Sequence, residues 1–556
     1  MHTIIFRNED GSQQKATAQV GENLLDVALA AGVAIDAPCS GNGTCGKCRL
    51  RIIGGTVDGG AGQRLPQEDF DDGWRLACQA TVSSDATVWL PASAGSFKKG
   101  IETADLSSPE ELQRYEKAVE DVFAAGISRG CEQTGLGCAI DIGTTTVTAA
   151  LLDLESGQVK GKASAGNGQI IYGADVINRI ICQSRPGGVE KLQQAVREQT
   201  ICKLVDELCA QAGIDSAEIS RCVIAGNTTM EHLLVGANGE SIRLEPYVPE
   251  FLELTGKTAS ELGLPFAPDA PVVLAPNVGS YVGGDITAGV LANRMWASDE
   301  MTLFVDLGTN GELVFGNGDF LLCCACSAGP AFEGGDISCG MRATAGAVQA
   351  VKIDETTMEP ELDTVGGGKV AGLCGSGLID MVAELFRCGI INAAGKFVAS
   401  SERIRHNEHG RGEYVFAWGA SSATGGDIAI NETDIDNFIR AKGAIFSAIR
   451  TMVASLGMEV DFIDRVMIAG GIGSGINMEN AMAIGMLPKL PTEKYSYIGN
   501  SSLTGACTML LSSEAEQKCF ELGRNMTYLE LSSEPSYMDE FVASCFIPHT
   551  DASLFE

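Results

Sequence analysis

The sequence predicts an α/β protein of several domains, and three observations support this prediction. The chain has 556 residues, which at about 150 residues per domain is enough for three or four domains. Short apolar strands alternate with segments whose apolar residues recur at helical spacing. A strand–turn–strand segment with the pattern Asp-x-Gly-Thr occurs twice, 165 positions apart, with its aspartates at Asp141 and Asp306. The expected division of the chain is a first domain at 1–95, a linker at 96–135, and two further domains at 136–298 and 299–556.

Composition and charge exclude several classes of protein. Hydrophobic residues make up 45% of the chain and charged residues 20%, as in ordinary globular proteins. No stretch reaches the ~18 consecutive apolar residues of a membrane helix, and the first residues lack the pattern of a signal peptide. The net charge of −33 repels nucleic acid phosphates and anionic lipids. We therefore expect a cytoplasmic protein that binds neither membrane nor nucleic acid.

The first domain is predicted to combine short strands with one helix. Strands are expected at 3–6 and 15–18, on either side of an Asp10-Gly11 turn. Residues 23–30 have helical apolar spacing, and Gly32 follows them as a helix stop. A further strand is expected directly after the cysteine segment described next.

Four cysteines of this domain have the spacing of an iron–sulfur ligand set. They are Cys39, Cys45, Cys48 and Cys78, in the pattern C-x5-C-x2-C followed by a distant cysteine. Four thiolates bind a 2Fe-2S cluster, and the intervening glycines allow backbone N–H groups to face the sulfurs. The alternatives are a structural zinc site, for which a second C-x2-C pair is missing, or unrelated thiols. The segment resembles that of 2Fe-2S ferredoxins of the β-grasp kind, with a first gap one residue longer than in the plant type.

The remaining cysteines are mostly scattered and are predicted to be buried apolar side chains, since disulfides are rare in cytosolic proteins. A second group comprises Cys323, Cys324, Cys326 and Cys339. Its apolar surroundings favour burial in a core over a second metal site.

The linker contains a predicted amphipathic helix. Ser108 is a suitable N-cap, Pro109 fits the first helical position, and Glu111 completes a capping box. The helix is expected to end near Gly126 and to pack on a neighbouring domain. A homodimer contact is the alternative.

The two Asp-x-Gly-Thr hairpins predict phosphate-binding turns. Each has an apolar strand that ends in an aspartate, a tight turn and a returning strand. The turn offers backbone N–H groups and hydroxyls to phosphate oxygens, and the aspartate can hold Mg²⁺ or orient water. Two such hairpins on two lobes could bind one nucleotide from both sides. The candidate residues are Asp141, Gly143, Thr144 and Thr145 in the first hairpin, and Asp306, Gly308, Thr309 and Asn310 in the second.

A third segment near the C-terminus is a strand that runs into a glycine-rich turn containing Gly470, Gly471 and Gly473. Glycine there allows the backbone to approach a ligand's adenosine. A long helix is predicted before it, opening at Thr433-Asp434 and ending at Gly457.

These three segments resemble the two phosphate motifs and the adenosine motif of the superfamily that contains acetate and sugar kinases, Hsp70 and actin. The whole chain resembles the reductive activators of corrinoid proteins, which join an N-terminal β-grasp ferredoxin, a helical linker and a two-lobed ATPase of that superfamily. The resemblance implies a 2Fe-2S cluster, ATP with Mg²⁺, and catalytic roles for Asp141 and Asp306. It also implies ATP-dependent one-electron reduction of a Co(II) corrinoid to Co(I). The implied partners are a corrinoid protein of a methyltransferase system and a low-potential electron donor.

Other functions remain open at this point. One is a small-molecule kinase with a redox-sensing ferredoxin, and another is a nucleotide-gated scaffold that does not catalyse. Activation of a different low-potential enzyme, such as a dehydratase, is disfavoured because those activators hold a cluster between two ATPase subunits rather than in a separate ferredoxin.

Overall fold

The computed structural model describes residues 1–8, 11–33, 35, 37, 41, 43, 46–62, 65–91, 104–105, 108–406, 410–423, 425–471 and 475–555. These residues form two compact units. The first comprises Met1–Glu116 and Cys131–Leu274, and the second Lys117–Gly130 and Ala275–Glu556. Among the described helices, none is both long enough and apolar enough to cross a bilayer.

A five-stranded sheet occupies the N-terminal part of the first unit. From edge to edge its strands are Gln13–Ala18, His2–Asn8, Ala80–Leu90, Arg49–Gly59 and Trp74–Leu76. His2–Asn8 pairs parallel with Ala80–Leu90, and the other pairs are antiparallel. The helices are Leu24–Ala30 and Gln67–Asp71. The predicted strands and first helix are confirmed, although Asp10 of the predicted turn lies outside the described residues.

This sheet has an apolar core of its own. Ile4, Phe6, Leu24 and Leu50 are almost completely buried, and every residue of the cluster lies between positions 4 and 90. The Asn23 side chain caps the helix Leu24–Ala30, because its oxygen accepts from the N–H groups of the first turn. The N-terminal region therefore packs as a small domain around these side chains.

A seven-stranded sheet forms the rest of the first unit. Its strands, from edge to edge, are Lys257–Thr258, Pro271–Leu274, Ile219–Gly226, Leu136–Ile142, Thr146–Asp153, Val159–Gly166 and Ala104–Asp105. The helices are Val176–Gln183, Gly188–Val196, Cys202–Ala212, Thr228–Val235, Glu240–Arg243 and Ala259–Leu262. The strands Leu136–Ile142, Ile219–Gly226 and Pro271–Leu274 are parallel, so their carboxyl ends meet at one edge of the sheet.

The linker helix extends over Pro109–Phe123, as predicted, and the side-chain oxygen of Ser108 accepts from the N–H of Glu111. Its first half packs on the seven-stranded sheet. The Lys162 ammonium lies 2.6 Å from the Glu111 carboxylate and 4.2 Å from the centroid of the Tyr115 ring. The prediction that this helix packs on a neighbouring domain is confirmed.

The second unit is built around a six-stranded sheet. From edge to edge its strands are Tyr495–Gly499, Arg465–Ala469, Thr302–Leu307, Gly311–Gly316, Leu321–Cys326 and Thr527–Tyr528. Two three-stranded sheets accompany it, formed by Pro360–Thr364, Ala347–Ile353 and Gly372–Leu373, and by Ile404–His406, Gly412–Ala417 and Ile428–Asn431. The helices are Gly284–Asn293, Gly375–Arg387, Glu432–Ser455, Met478–Ala483, Ser501–Leu511, Ser513–Asn525 and Tyr537–Ser544.

The long predicted helix is observed as Glu432–Ser455, with Asn431 as its N-cap in a capping box. Most of its length is buried, and this burial includes Lys442. The Lys442 ammonium donates to the carbonyl oxygens of Phe546 at 2.5 Å and Pro548 at 2.6 Å. These bonds attach the C-terminal segment to the helix.

The two large sheets share one strand order. In each, the strand that carries the Asp-x-Gly-Thr aspartate is central. On one side lie two further strands, each antiparallel to the strand before it, and on the other side lie two strands that run parallel to the central one. This duplicated arrangement confirms the two-lobed fold class that the repeat predicted.

The pairing within the two hairpins differs by one residue. Asp141 lies opposite Thr148, whereas Asp306 lies opposite Glu312. The offset of 165 positions between the repeats would instead align Thr148 with Leu313. Residues directly opposite in an antiparallel pair share a face, so the second hairpin has two carboxylates on the same face.

Candidate functional site

Two of the four predicted iron ligands lie side by side. Cys48 directly precedes the strand Arg49–Gly59, and Cys78 is in the short 3-10 turn Ala77–Gln79. Both side chains are buried, and their Sγ atoms are 3.3 Å apart. A disulfide would need about 2.05 Å, so these are two separate thiols at a spacing that suits shared metal ligation. Cys39 and Cys45 lie outside the described residues.

The surroundings of Cys78 fit a 2Fe-2S cluster. The Asn23 side-chain amide donates to the Cys78 carbonyl at 2.9 Å. The Gln79 amide nitrogen donates to the Gly41 carbonyl at 2.7 Å and lies 3.7 Å from Cys78 Sγ. Gly41 and Gly43 have φ angles of +81° and +74°, which favour glycine. Gly41 is thus held beside Cys78 by Gln79, whose amide is also close to the ligand sulfur, as suits iron–sulfur ligation.

The first phosphate-binding candidate turn follows the strand Leu136–Ile142. The Gly143 N–H donates to the Thr146 carbonyl at 2.9 Å, and a Cβ on Gly143 would lie 2.6 Å from that oxygen. Asn167 supports the turn from outside, because its side chain donates to the Gly143 carbonyl at 2.9 Å and its backbone N–H to the Thr145 carbonyl at 2.8 Å. The structure places Asp141, Gly143, Thr144 and Thr145 together at the carboxyl edge of the sheet.

A buried arginine also supports this turn. Arg179 is fully buried; its guanidinium donates to the Gly173 carbonyl at 2.9 Å and also to the Thr144 carbonyl. Its Nη1 atom lies 3.1 Å from Met230 Sδ. Sequence reasoning missed Arg179 and Asn167, although a lone arginine in the otherwise amphipathic helix Val176–Gln183 is a weak signal of a buried polar contact.

The second candidate turn closes more tightly than the first. The Gly308 N–H donates to the Asn310 carbonyl at 3.0 Å. The Thr309 hydroxyl donates to a carboxylate oxygen of Glu333 at 2.8 Å. Sequence reasoning did not single out Glu333. The shorter turn accounts for the different pairing of the two hairpins.

Glu312 is a buried carboxyl that sequence reasoning also missed. Burial raises its pKa well above the ordinary value, and the charges of Asp285 and Asp306 raise it further. A hydrogen bond from the Asn310 side chain acts in the opposite direction. Burial and the two neighbouring carboxylates therefore both favour the protonated form of the Glu312 side chain beside Asp306.

The glycine-rich segment lies beside the second aspartate. The strand Arg465–Ala469 pairs parallel with Thr302–Leu307, and Gly470 follows it with a φ of +95°. A Cβ on Gly470 would lie 2.2 Å from the Leu307 carbonyl oxygen and 3.0 Å from Asp306 Oδ1. Gly471 follows on the exposed side, and Gly473 lies outside the described residues.

The second cysteine group is distributed rather than clustered. Cys323, Cys324 and Cys326 lie on the strand Leu321–Cys326 and are buried, as predicted, whereas Cys339 is half-buried. Burial raises the pKa of each of these thiols. Neighbouring strand positions point to opposite faces, so Cys323 and Cys324 do not face one ligand.

Comparisons with known proteins match the whole chain. Residues 7–83 match a 2Fe-2S iron-sulfur cluster binding domain, residues 136–298 the RACo middle region, and residues 300–556 the C-terminal domain of RACo, the ASKHA domain. A solved structure of a reductive activator for corrinoid,iron-sulfur protein is similar with a TM-score of 0.71 and 40% identity, covering 100% of both chains.

Two curated relatives are similar over most of their length. The corrinoid activation enzyme RamQ of Eubacterium limosum is 32% identical over 415 residues, which is 73% of this chain and 69% of RamQ. The Co(II) methylated amine-specific corrinoid protein reductase of Methanosarcina barkeri is 24% identical over 423 residues, covering 70% of this chain and 73% of that protein. With its iron–sulfur domain, its duplicated ATPase-like sheets and this similarity, the chain belongs to the family of reductive activators of corrinoid proteins.

Proposed function

We propose that this chain reduces the Co(II) corrinoid of a partner protein to Co(I), using a 2Fe-2S cluster as electron carrier and ATP as the energy source. The observation that carries the proposal is the pair of buried thiols at Cys48 and Cys78, in a chain similar over its whole length to a solved reductive activator. The partner is a corrinoid protein of a methyltransferase system, and a low-potential donor supplies the electron.

In this proposal the ligands of the cluster are Cys39, Cys45, Cys48 and Cys78. The cluster supplies one-electron chemistry when it is bound. Cys48 and Cys78 provide sulfurs shielded from water, and Gln79 places its amide near Cys78 Sγ. Hydrogen bonds to ligand sulfurs and burial are the means by which a protein adjusts a reduction potential.

The nucleotide roles divide between the two hairpins. Asp141 and Asp306 act on Mg²⁺ or water, and the turns donate to phosphate oxygens through backbone N–H groups and hydroxyls. The donors are Gly143, Thr144 and Thr145 in the first turn and Gly308, Thr309 and Asn310 in the second, with Gly470, Gly471 and Gly473 beneath the adenosine. Because the Thr309 hydroxyl donates to Glu333, it must rotate before it can donate to a phosphate.

The proposed domains are 1–95, 136–298 and 299–556, with the linker at 96–135. The family matches at 7–83, 136–298 and 300–556 support this division. A cytoplasmic location is part of the same proposal.

The test is an anaerobic absorption assay of the corrinoid. Reduced protein is mixed with a Co(II) corrinoid protein from the same organism, with and without Mg²⁺–ATP. We expect little Co(I) without nucleotide and much more with it, because each ~60 mV of unfavourable one-electron potential lowers the yield tenfold. Asp306→Asn should lose the ATP-dependent yield but keep a reducible cluster, and Cys48→Ser should lose the cluster but bind ATP.

Equal Co(I) formation without nucleotide would refute the ATP coupling. Phosphorylation of a sugar or carboxylic acid at a useful rate would favour the kinase instead. Anaerobically prepared protein that contains stoichiometric zinc and no sulfide would refute the electron path.

A further inference from the structure

A cavity of about 310 Å³ lies within the first unit, beside the cluster ligand Cys78. Residues of the N-terminal domain and of the region after it line the cavity together. Those that the argument uses are Asp26, Cys78, Tyr172, Cys182, Arg185 and Lys191. Two cations from the region after the N-terminal domain, Arg185 and Lys191, therefore lie beside the iron–sulfur domain.

Arg185 is held on a short turn between two helices. The turn joins Val176–Gln183 to Gly188–Val196, and the Arg185 N–H donates to the Cys182 carbonyl at 3.1 Å. A Cβ on Gly188 would lie 2.0 Å from that same carbonyl oxygen, so the turn is closed as tightly as its backbone allows. The backbone of Arg185 is thus part of a tightly closed turn.

The Arg185 guanidinium lies next to the cluster loop. A Cβ placed on Gly41 would be 3.6 Å from Arg185 Nη1 and equally 3.6 Å from Cys78 Cβ. Both atoms are close to the same point, so Arg185 Nη1 and Cys78 Cβ are at most about 7 Å apart. Gly41 leaves that space open.

The charges that line the cavity are mostly positive. Among the described lining residues, Arg185 and Lys191 are cations and Asp26 is the anion. Burial raises the pKa of Tyr172 and of Cys182, which are therefore uncharged at neutral pH. The described side chains that line the cavity therefore carry one more positive charge than negative charge.

We propose that Arg185 raises the reduction potential of the 2Fe-2S cluster when the N-terminal domain lies against this turn. The cluster gains one negative charge when it takes up one electron, and no bond or proton needs to change. A nearby cation stabilises the more negative state by Coulomb attraction, and an arginine stays protonated throughout. Arg185 does not ligate iron in this proposal; its charge acts on the reduction potential of the cluster.

The consequence is a cluster that accepts an electron most readily in the arrangement seen here. If the N-terminal domain leaves this turn, the cluster loses its interaction with the Arg185 charge. Its reduction potential then falls, and the reduced cluster becomes a stronger reductant. The inference rests on the proposed function only in requiring that the four cysteines hold a 2Fe-2S cluster.

The experiment is a redox titration of the full-length protein, with dithionite as reductant and the cluster followed by visible absorption and EPR. The variants are Arg185→Gln, which removes the charge, and Arg185→Lys, which keeps it. Lys160→Gln is the matched control, because Lys160 is an exposed lysine of the same region that does not line the cavity. Cluster content per chain is measured in each variant.

At the wild-type midpoint and low ionic strength, we expect Arg185→Gln to lower the reduced-to-oxidised ratio about three- to tenfold, where tenfold is about 59 mV for one electron. In Arg185→Lys and Lys160→Gln the ratio should remain near that of the wild type. Because Arg185 is exposed, 1 M salt should abolish most of the difference.

An unchanged midpoint in Arg185→Gln, at full cluster content, would overturn the inference and leave the proposed function intact. If the reduced-to-oxidised ratio fell as much in Arg185→Lys as in Arg185→Gln, the electrostatic cause would be overturned. A difference between Arg185→Gln and the wild type that 1 M salt does not reduce would overturn it as well. Wild-type protein that never holds a 2Fe-2S cluster would instead refute the proposed function itself.

Discussion

Replacing Arg179 by methionine tests how the first phosphate-binding candidate turn is positioned. Arg179 is fully buried, and its guanidinium donates to the carbonyls of Gly173 and Thr144. Methionine keeps much of the apolar volume but leaves both oxygens without these donors. Each buried acceptor left unsatisfied costs about 1–3 kcal/mol, so a loss of about 3 kcal/mol is expected. For a unit of this size that lowers Tm by about 6–12 °C.

The same change should weaken ATP binding. Thr144 is in the turn that we propose donates to phosphate, and its carbonyl accepts from the Arg179 guanidinium. A turn that loses one well-placed hydrogen bond to phosphate loses about 1.5–3 kcal/mol, because such bonds are charge-assisted. We therefore expect the Kd for Mg²⁺–ATP to rise at least tenfold, since tenfold is about 1.4 kcal/mol. Calorimetric titration and thermal unfolding measure the two effects.

Arg221→Met is the matched control. Arg221 is also buried, and it donates to the Gln133 side chain at 2.8 Å. It pairs with Gly137, at the end of the strand Ile219–Gly226 opposite to the candidate turn. This variant should lose stability while binding ATP as the wild type does. Equal loss of ATP affinity in both variants, or none in Arg179→Met, would refute the positioning role.

Three further predictions concern the nucleotide residues and a buried lysine. Asp141→Asn and Asp306→Asn should each lower ATP hydrolysis about 10²-fold, measured as steady-state phosphate release; unchanged rates in both would contradict the assignment. Gly470→Ala should destabilise the second unit in urea unfolding, because its Cβ would meet the Leu307 carbonyl at 2.2 Å at a φ of +95°; wild-type stability would contradict this close contact. Burial lowers the pKa of Lys442 to about 7, so between pH 7 and 9 the unfolded chain binds more protons and stability rises with pH. Lys442→Met should lack this rise of about 2 kcal/mol, and an identical pH dependence in the variant would contradict the lowered pKa.

The elements that were predicted correctly are those whose sequence signals all lie within one short segment. The linker helix has its cap, its proline and its apolar face within one segment, and it was observed as Pro109–Phe123. The two hairpins were visible because an apolar strand, an aspartate and a Gly-Thr turn are contiguous in sequence. The glycine segment after Ala469 was recognised for the same reason, and the structure places it beside Asp306.

The contacts that were not predicted depend on chain segments distant in sequence. Arg179 meets Thr144 only because the helix Val176–Gln183 folds back on the turn, and nothing in the local pattern specifies that approach. Glu312 lies opposite Asp306 because the second turn closes one residue earlier than the first. The similarity of the two repeats in sequence does not show this difference in turn length. Register is decided by turn geometry, and a shift of one residue exchanges the two faces of a strand.

The buried thiols of the strand Leu321–Cys326 bear on how iron reaches this protein. Metal capture needs the thiolate, and burial keeps these sulfurs protonated and enclosed. Once the C-terminal sheet has folded, they do not compete for iron or sulfide during cofactor assembly. A chain that is still unfolded offers every cysteine at its ordinary reactivity. Reconstitution should therefore proceed with fewer misplaced irons when metal and sulfide are added after folding than when they are present during refolding.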